Sequence, residues 1–229
     1  MADDSAGSGA GGGAAARLVL IAGATSTSGA AATRALVGAG ARVIAVGRDP
    51  ERLAALSALG AHVEVCDLAD EDDVSALAHR IHAGGDRVDG ILHLVGGWRG
   101  GGGLAGQTDA DYRFLEQSLT ALRFVTRAFA DDLGASGAAR LAIVSSTAVA
   151  RPLAGGANYA AVKAASEAWV RAIAQGWSKA ARDAGEPLRA AAVVFRVKSL
   201  AGREDALASA YLDLWDTPAD AVNDTILPL

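Results

Sequence analysis

The sequence predicts a single α/β domain in which helices cover both faces of a parallel β-sheet. From Arg17 onward, short β-branched runs alternate with Ala-rich stretches, a pattern typical of parallel strands joined by helical crossovers. Hydrophobic residues make up 51% of the chain but aromatic residues only 5%, so the core consists mainly of Ala, Val and Leu. The first strand, residues 18–21, reads Leu-Val-Leu-Ile without polar alternation, which indicates burial on both faces.

Length and charge narrow the class of protein. At 229 residues the chain suits one such domain, which we place at residues 17–229. Residues 1–16 are mostly Gly, Ala, Ser and Asp, and we interpret them as a flexible tail and not as a signal peptide. The formal charge of −5 comes without a Lys/Arg block, so neither nucleic acid nor a membrane is a predicted partner. The single cysteine, Cys66, fits a reducing compartment, and we expect a cytoplasmic protein.

A turn of small residues follows the first strand and precedes a predicted helix from Ala30 to Val37. Such a turn lets a phosphate approach the backbone and reach the N–H groups at the start of the helix. The candidate cofactor-binding residues of this turn are Gly23, Thr25, Ser26, Thr27, Ser28 and Gly29. Thr27 stands where most dinucleotide-binding turns have a glycine, and an ordinary strand-to-helix turn is the alternative interpretation.

Arg48 follows the second predicted strand, Ala41–Gly47. In dinucleotide-binding folds an acid at this point binds the ribose 2′-hydroxyl, whereas an arginine accommodates a 2′-phosphate. Arg48 therefore favours NADP(H) over NAD(H) as the cofactor. Pairing with the adjacent Asp49 is the alternative role for Arg48.

A helix from Glu51 to Leu59 leads to a third strand, Ala61–Cys66. Asp67 and Leu68 follow this strand as candidate adenine contacts, and Asp67 can alternatively cap the next helix.

The next predicted helix, Glu71–His82, carries His79 and His82 three positions apart. No third ligand accompanies them and His62 stands alone, so we predict no metal site.

Eight residues rich in glycine, Gly96–Gly103, follow the fourth predicted strand, Val88–Val95. A mobile loop at the carboxyl end of a central strand lies beside the expected site. Val95, Gly96 and Gly97 are candidate cofactor contacts, and Trp98 is a candidate wall of the substrate pocket. For residues 100–103 a plain flexible connector is equally compatible with the sequence.

Tyr159 and Lys163 are four positions apart on an Ala-rich helix that we predict to end near Ala184, so their side chains lie on one face. A lysine ammonium lowers the pKa of a neighbouring phenol from its usual value near ~10, which suits proton transfer. Ser146 lies at the carboxyl end of the fifth predicted strand, Leu141–Ser145. The loop before Tyr159 can fold back so that the hydroxyls of Ser146 and Tyr159 meet. A packed ring beside a solvated lysine is the alternative. Leu153, in that loop, is a further candidate pocket residue.

The remaining elements are less distinct. We predict one long helix from Asp109 to Leu133 and a sixth strand, Ala190–Phe195, and no seventh strand after it.

These motifs together resemble the short-chain dehydrogenase/reductase family over nearly the whole chain after the tail. The resemblance rests on the Gly23 turn, Arg48, Asp67 with Leu68, Gly96, and the set Ser146, Tyr159 and Lys163. It implies a Rossmann-like, doubly wound parallel sheet in three layers (α/β/α), here without the last C-terminal strand. It also implies an NADP(H)-dependent oxidoreductase acting on a small carbonyl or alcohol substrate.

Roles for individual residues follow from the same resemblance. Tyr159 is implied as the acid-base group, Lys163 as the residue that lowers its pKa and holds the nicotinamide ribose, and Ser146 as the group that orients the substrate oxygen. A homodimer through the helices carrying Ser118 and Tyr159 is implied as well, with apolar faces that include two tryptophans, Trp169 and Trp177. A tetramer commonly uses the last strand, whose predicted absence argues against it.

Three departures from the family pattern matter for the site. The usual Asn-Asn-Ala-Gly is His-Leu-Val-Gly at residues 93–96. Ser118, a further candidate catalytic residue, replaces the helix Asn that completes a proton relay. The usual Pro-Gly pair is Phe195-Arg196. Two alternatives therefore stay open: a pterin reductase similar to the dihydropteridine reductase branch, and a non-catalytic nucleotide-binding homologue.

Overall fold

A sheet of seven parallel strands forms the centre of the computed structural model, which describes residues 13–229. In chain order the strands are β1 (Leu18–Ala22), β2 (Arg42–Gly47), β3 (His62–Val65), β4 (Gly90–His93), β5 (Arg140–Ser146), β6 (Ala191–Val197) and β7 (Thr225–Pro228). Their order in the sheet is β3-β2-β1-β4-β5-β6-β7. The order reverses between β1 and β4, and ligands of such sheets bind at that point, beyond the carboxyl ends of the strands.

Helices cover both faces of this sheet and give the predicted three layers. They are α1 (Thr27–Gly38), α2 (Pro50–Ser57), α3 (Glu71–Ala83), α4 (Asp109–Ala128), α5 (Ala130–Ala135), α6 (Ala157–Ala184), α7 (Glu204–Asp216) and α8 (Ala219–Val222). Side chains of α1, α2, α7 and α8 pack in the core on one face, and those of α3 to α6 pack in the core on the other. No helix within residues 13–229 is both long enough and apolar enough to cross a membrane.

The two cores explain why the first strand lacks polar residues. Leu18, Leu20 and Ala22 point into the core beneath α4 and α6, whereas Val19 and Ile21 point into the core beneath α1 and α7. All five side chains are buried, so the predicted two-sided burial of this strand is confirmed.

Several predicted boundaries differ from the structure. The first helix begins at Thr27, three residues early, because the Ser26 Oγ accepts a hydrogen bond from the Gly29 N–H at 3.0 Å and caps it. The long helix predicted before the fifth strand is two helices, since Phe129 leaves the helical conformation with φ −109° and ψ 17°. The fourth strand is shorter than predicted and ends at His93.

The prediction that the last strand is absent is wrong. β7 pairs in parallel with β6 over the four partners Thr225 to Pro228. Asn223 holds the chain in place for this pairing, because its Oδ1 accepts from the Ala192 N–H at 3.0 Å and its Nδ2 donates to the Ala174 carbonyl at 3.0 Å. The argument against a tetramer, which rested on a missing strand, therefore no longer holds.

Two other expectations are modified. Residues 1–12 of the predicted tail lie outside the described residues, but Ala14 is buried and the Ala16 N–H donates to the Gly40 carbonyl at 2.9 Å. The last residues of the predicted tail thus belong to the folded domain. Trp169 is turned toward α4, where its Nε1 donates to the Thr126 hydroxyl at 3.0 Å, and Trp177 packs against the same core. The chain itself therefore covers these two rings in part, and both remain partly exposed.

Candidate functional site

A cavity of about 1200 Å³ lies at the carboxyl ends of β4, β5 and β6. Its lining brings together residues that are far apart in the sequence: Ser26, Ser28, His93, Ser146, Tyr159 and Lys163. Parallel strands place their carboxyl ends on one edge of the sheet, and the N-terminus of α1 and the first turns of α6 meet there. The predicted phosphate turn and the predicted Ser-Tyr-Lys set therefore share one space.

Tyr159 and Lys163 lie in the first two turns of α6, as their spacing predicted. The Lys163 ammonium is 5.9 Å from the centre of the Tyr159 ring, and its Nζ donates to the Val144 carbonyl at 2.8 Å. Ser146 is the last residue of β5, and its Oγ accepts a hydrogen bond from the Ala148 N–H at 3.1 Å. The three side chains thus reach the cavity from two rigid elements, β5 and α6.

The charge of Lys163 is set by two opposing effects. Burial lowers the pKa of its ammonium to about 8, and the nearby Glu167 carboxylate works in the opposite direction. Glu167 lies one turn further along α6 and is itself buried. Tyr159, Lys163 and Glu167 therefore form a row with a spacing of four residues on one face of the helix.

Glu167 is held in a network that the sequence did not predict. Its Oε1 accepts from the Ser145 Oγ at 2.5 Å, and its Oε2 accepts from the Arg196 Nη2 at 2.6 Å. Arg196 belongs to β6, which runs two residues beyond its predicted end at Phe195. Phe195 points into the core and Arg196 toward α6, so the substitution of the family's Pro-Gly pair continues the strand.

His93 stands where the family has its first asparagine, and it is buried beside the cavity. Its Nε2 donates to the Ser118 carbonyl at 3.1 Å, and its Nδ1 is buried without a hydrogen-bond partner. Burial, together with the charge of Lys163, lowers the pKa of His93 to about 3. The imidazole is therefore neutral at physiological pH, with an acceptor nitrogen free for a bound donor.

Ser118 does not present its hydroxyl to this cavity. Its Oγ donates to the Leu115 carbonyl of its own helix at 2.8 Å, and only its backbone carbonyl reaches His93. The predicted catalytic contribution of the Ser118 side chain is thus not supported by its position, because its hydroxyl is already directed into α4.

A second cavity, of about 240 Å³, adjoins the first at Val95 and Gly96. The predicted cofactor residues that line it are Gly23, Thr25, Ser26, Arg48, Asp67 and Leu68. Arg48 Nη1 is 3.8 Å from Asp67 and both side chains are exposed, whereas Asp49 caps α2, so the alternative Arg48–Asp49 pair does not form. Arg52, which the sequence analysis missed, lines the same cavity and donates to the Thr25 carbonyl at 2.7 Å.

The residues around the start of α1 fit the phosphates of a dinucleotide. The first turn of α1 holds no acidic residue, unlike the first turns of α2, α3 and α4, so its N-terminus is open to an anion. Gly23 has φ +80°, and a side chain there would come within 2.9 Å of the Val95 nitrogen. Two arginines, Arg48 and Arg52, line the second cavity.

Not every predicted contact lines a cavity. Thr27 is exposed at the first position of α1 and lines neither cavity. Gly29 lines neither as well, and a side chain there would approach the Ala24 carbonyl oxygen to 2.1 Å, so its smallness serves the packing of α1 on the turn. Gly97, Trp98 and Leu153 all line the large cavity, as expected.

The sequence analysis also missed two cationic residues of the large cavity, Arg151 and Lys198. Arg151 lies in the loop between Ser146 and Tyr159, and its place in that loop was the available signal. No group of three potential metal ligands occurs in residues 13–229. Two of the histidines contact carboxylates instead, His62 with Glu64 and His82 with Asp132.

A family model described as short chain dehydrogenase matches residues 17–181. Among solved structures, a protein from Escherichia coli CFT073 assigned to the short chain dehydrogenases has a TM-score of 0.83 at 22% identity, covering 95% of this chain and 97% of its own. The RhlG/NADP complex of Pseudomonas aeruginosa has a TM-score of 0.81 at 19% identity, with 95% and 96% covered. An NADPH-bound short chain oxidoreductase of Pseudomonas aeruginosa PAO1 with an atypical catalytic centre has a TM-score of 0.79 at 21% identity, with 93% and 95% covered. A search of the curated proteins found no significant match.

Proposed function

Since the chain belongs to the short-chain dehydrogenase family, we propose that it is an NADP(H)-dependent oxidoreductase that interconverts a small carbonyl compound and its alcohol. The observation that carries this proposal is the meeting of Ser146, Tyr159 and Lys163 with the start of α1 in one cavity. A protein that only bound a nucleotide would not need a proton donor at this place. The pterin branch of the family has no observation of its own in its favour.

In the proposed reduction, the hydride that forms the new C–H bond would come from a bound nicotinamide cofactor, which would be oxidised in the same step. Tyr159 donates its hydroxyl proton to the carbonyl oxygen as the electron pair of the C=O bond moves onto it. Lys163 stabilises the phenolate that remains, and Ser146 donates a hydrogen bond to the substrate oxygen. Solvent then returns a proton to Tyr159, and oxidation of the alcohol follows the same path in reverse.

The preference for NADP(H) rests on Arg48 and Arg52 beside the second cavity. A guanidinium binds a phosphate through paired, charge-assisted hydrogen bonds. The two Pseudomonas aeruginosa proteins with this fold were solved with NADP and NADPH, which supports the same assignment.

The first test is a fluorescence titration with NADPH and NADH side by side. We expect tighter binding of NADPH, and Arg48→Ala should weaken it by about tenfold, since a charge-assisted hydrogen bond contributes about 1.5 kcal/mol or more. NADH binding should stay unchanged. Arg34→Ala is the matched control, because Arg34 is exposed on α1 and lines neither cavity. Equal affinity for both nucleotides in the wild type would contradict the preference.

Turnover separates the enzyme from a non-catalytic homologue. Tyr159→Phe should lower kcat for carbonyl reduction by about 10²- to 10⁴-fold while leaving the NADPH dissociation constant within a factor of two. If the wild-type protein binds NADPH but reduces no compound of a broad carbonyl panel, the non-catalytic alternative is correct.

We also propose that the protein forms a homodimer through the outer sides of α4 and α6, and that it is located in the cytoplasm. Light scattering on the purified protein measures the first directly.

A further inference from the structure

The large cavity is positively charged although the protein as a whole is acidic. The chain has 26 Asp and Glu against 21 Lys and Arg, yet no Asp or Glu among residues 13–229 lines this cavity. Three cationic side chains do line it: Arg151, Lys163 and Lys198. A cleft lined by one sign of charge concentrates ligands of the opposite sign. The proposed reaction uses Lys163, but it assigns no role to Arg151 or Lys198.

Arg151 and Lys198 both line this cavity from the segments that follow two neighbouring strands, β5 and β6. Ser146, at the end of β5, is the register partner of Val197, at the end of β6. Lys198 is the next residue after that pair, and Arg151 follows five positions after Ser146 on the segment leading to α6. Arg151 therefore comes from the segment that begins at Ser146, the residue proposed to hold the substrate oxygen, and Lys198 comes from the segment that begins at the register partner of Ser146.

Neither cation is neutralised by the protein. Arg48 and Arg196 have carboxylates within ion-pair distance, whereas Arg151 and Lys198 have none among residues 13–229. Both side chains are exposed to solvent. An arginine or lysine left free at the mouth of a cavity is available to a carboxylate or phosphate of a ligand.

Exposed apolar side chains line the same cavity as these cations. Trp98 is 61% exposed and Leu153 is 72% exposed, and both line the cavity. Large apolar side chains left open beside a cavity mark a binding surface. A ligand complementary to this lining has an apolar part, which contacts these side chains, and a negative charge, which binds the cations.

We propose that the substrate is an anionic carbonyl compound whose carboxylate or phosphate group is bound by Arg151 and Lys198. This inference rests on the proposed function, since the carbonyl carbon is placed at Ser146 and Tyr159. Arg151 fixes the charged end, and Lys198 adds a second positive charge from the other side of the Ser146–Val197 pair.

The test compares each of two anionic carbonyl compounds with a neutral partner of the same carbon skeleton around the carbonyl. The probes are 4-oxopentanoate with its methyl ester, and dihydroxyacetone phosphate with dihydroxyacetone. We expect kcat/KM for at least one anion to exceed that for its neutral partner by about tenfold or more, the effect of one charge-assisted contact. The pair that shows the larger ratio identifies the anionic group as carboxylate or phosphate.

Two neutral variants assign the effect to residues. Arg151→Gln should raise KM for the preferred anion about tenfold and leave kcat, the neutral partner and NADPH binding unchanged. Lys198→Gln should act in the same direction. Arg182→Gln is the matched control, because Arg182 is exposed near the end of α6 and does not line the cavity. If Lys198→Gln instead weakens NADPH and leaves the ratio intact, Lys198 binds the cofactor phosphates and its part of the proposal is wrong.

A binding measurement tests the charge assignment independently of enzyme turnover. Quenching of tryptophan fluorescence, with NADP⁺ present, measures binding of the same four probes to the Tyr159→Phe variant. Preferential binding of an anion that Arg151→Gln abolishes supports the charge assignment even if the wild type reduces nothing, which would refute only the proposed function. Equal binding of anion and neutral partner, or binding of neither, overturns the inference.

Discussion

The row of Tyr159, Lys163 and Glu167 on α6 shows how a single face of a helix tunes a proton donor. Burial alone would lower the pKa of the Lys163 ammonium further than to about 8, and the Glu167 carboxylate limits the shift. Arg196 and Ser145 both donate hydrogen bonds to the buried carboxylate of Glu167. The departure at Arg196 from the family's glycine thus bears on the charge of the proposed catalytic lysine.

The pH dependence follows from the direction of this shift. Lys163 loses its charge as the pH rises through about 8, so the reaction should slow above that pH. The folded pKa lies below the ordinary value of 10.5, so the unfolded chain binds more protons between about 8 and 10.5. The contribution of Lys163 to stability is therefore full above pH 10.5 and is lost as the pH falls through about 8.

Glu167→Gln should move the alkaline limb of the kcat/KM profile to lower pH by about one unit, because it removes the carboxylate that favours the charged lysine. Urea unfolding measured in parallel separates this effect from the loss of stability expected when Arg196 loses its partner. Glu186→Gln, exposed beyond the end of α6, serves as the control. A profile of unchanged shape but lower height would mean that Glu167 is only structural.

At the scale of elements, Gln107 joins the glycine-rich loop to the segment that leads into α6. Its Nε2 lies within hydrogen-bond distance of the carbonyls of Gly101 at 3.1 Å, Gly103 at 3.3 Å and Gly155 at 3.0 Å, which share its two N–H donors. Its Oε1 accepts from the Asn158 N–H at 3.1 Å. Ordering a glycine-rich loop costs much conformational entropy, and the hydrogen bonds of this one side chain offset part of that cost.

Gln107→Glu keeps the size of this side chain and removes its donors. We expect hydrogen exchange of the amides in residues 100–106 to accelerate about tenfold or more, since a carboxylate cannot donate to three carbonyls. The KM of the substrate should rise, because Trp98 precedes this loop in the cavity wall. Glu116→Gln, a one-unit charge change on α4 that makes none of these bonds, is the control. Unchanged exchange would show that the backbone bond from the Gly101 N–H to the Gly155 carbonyl holds the loop alone.

The elements differ in how far their sequences could predict them. The first strand and the Tyr159 helix carry dense apolar or Ala-rich patterns, and both were predicted closely. β7 was missed because it has four residues and ends in Pro228, which cannot donate to a ladder and is tolerated only because β7 is an edge strand. Arg196 was placed beyond the end of β6 because the family pattern has a Pro-Gly pair there, and only the partner on α6 explains an arginine at that position.

At the scale of the molecule, the sequence predicted which residues share the cavity because parallel strands bring their carboxyl ends together. It could not predict the contacts that cross the sheet or join distant segments. The His93–Ser118 bond and the Glu167–Arg196 pair join residues 25 and 29 positions apart, and neither shows in a local pattern. The charge of the large cavity, too, depends on side chains contributed by several elements at once.

Arg140 is the longest-range connection of this kind. It is buried at the start of β5 and donates from Nε to the Leu214 carbonyl at 2.6 Å and from Nη2 to the Thr217 carbonyl at 2.8 Å. A third bond, from Nη1 to the Arg189 carbonyl, measures 3.1 Å. Burial lowers the pKa of this guanidinium, but an arginine remains charged in proteins. A central strand is thereby tied to the C-terminal end of α7 and to the segment before β6.

Arg140→Met should lower the free energy of unfolding by about 2–4 kcal/mol, because methionine fills much of the space but leaves buried carbonyls without donors. Urea unfolding at neutral pH measures the loss, and Arg34→Met, exposed on α1, controls for a change from arginine to methionine. Arg140→Lys keeps one charged donor and should fall between the two. The site itself lies at the other end of β5, so Arg140→Met protein that remains folded should bind NADPH with the wild-type affinity. A loss below about 1 kcal/mol would mean that water or a backbone shift satisfies these carbonyls, and that α7 is held by its apolar contacts alone.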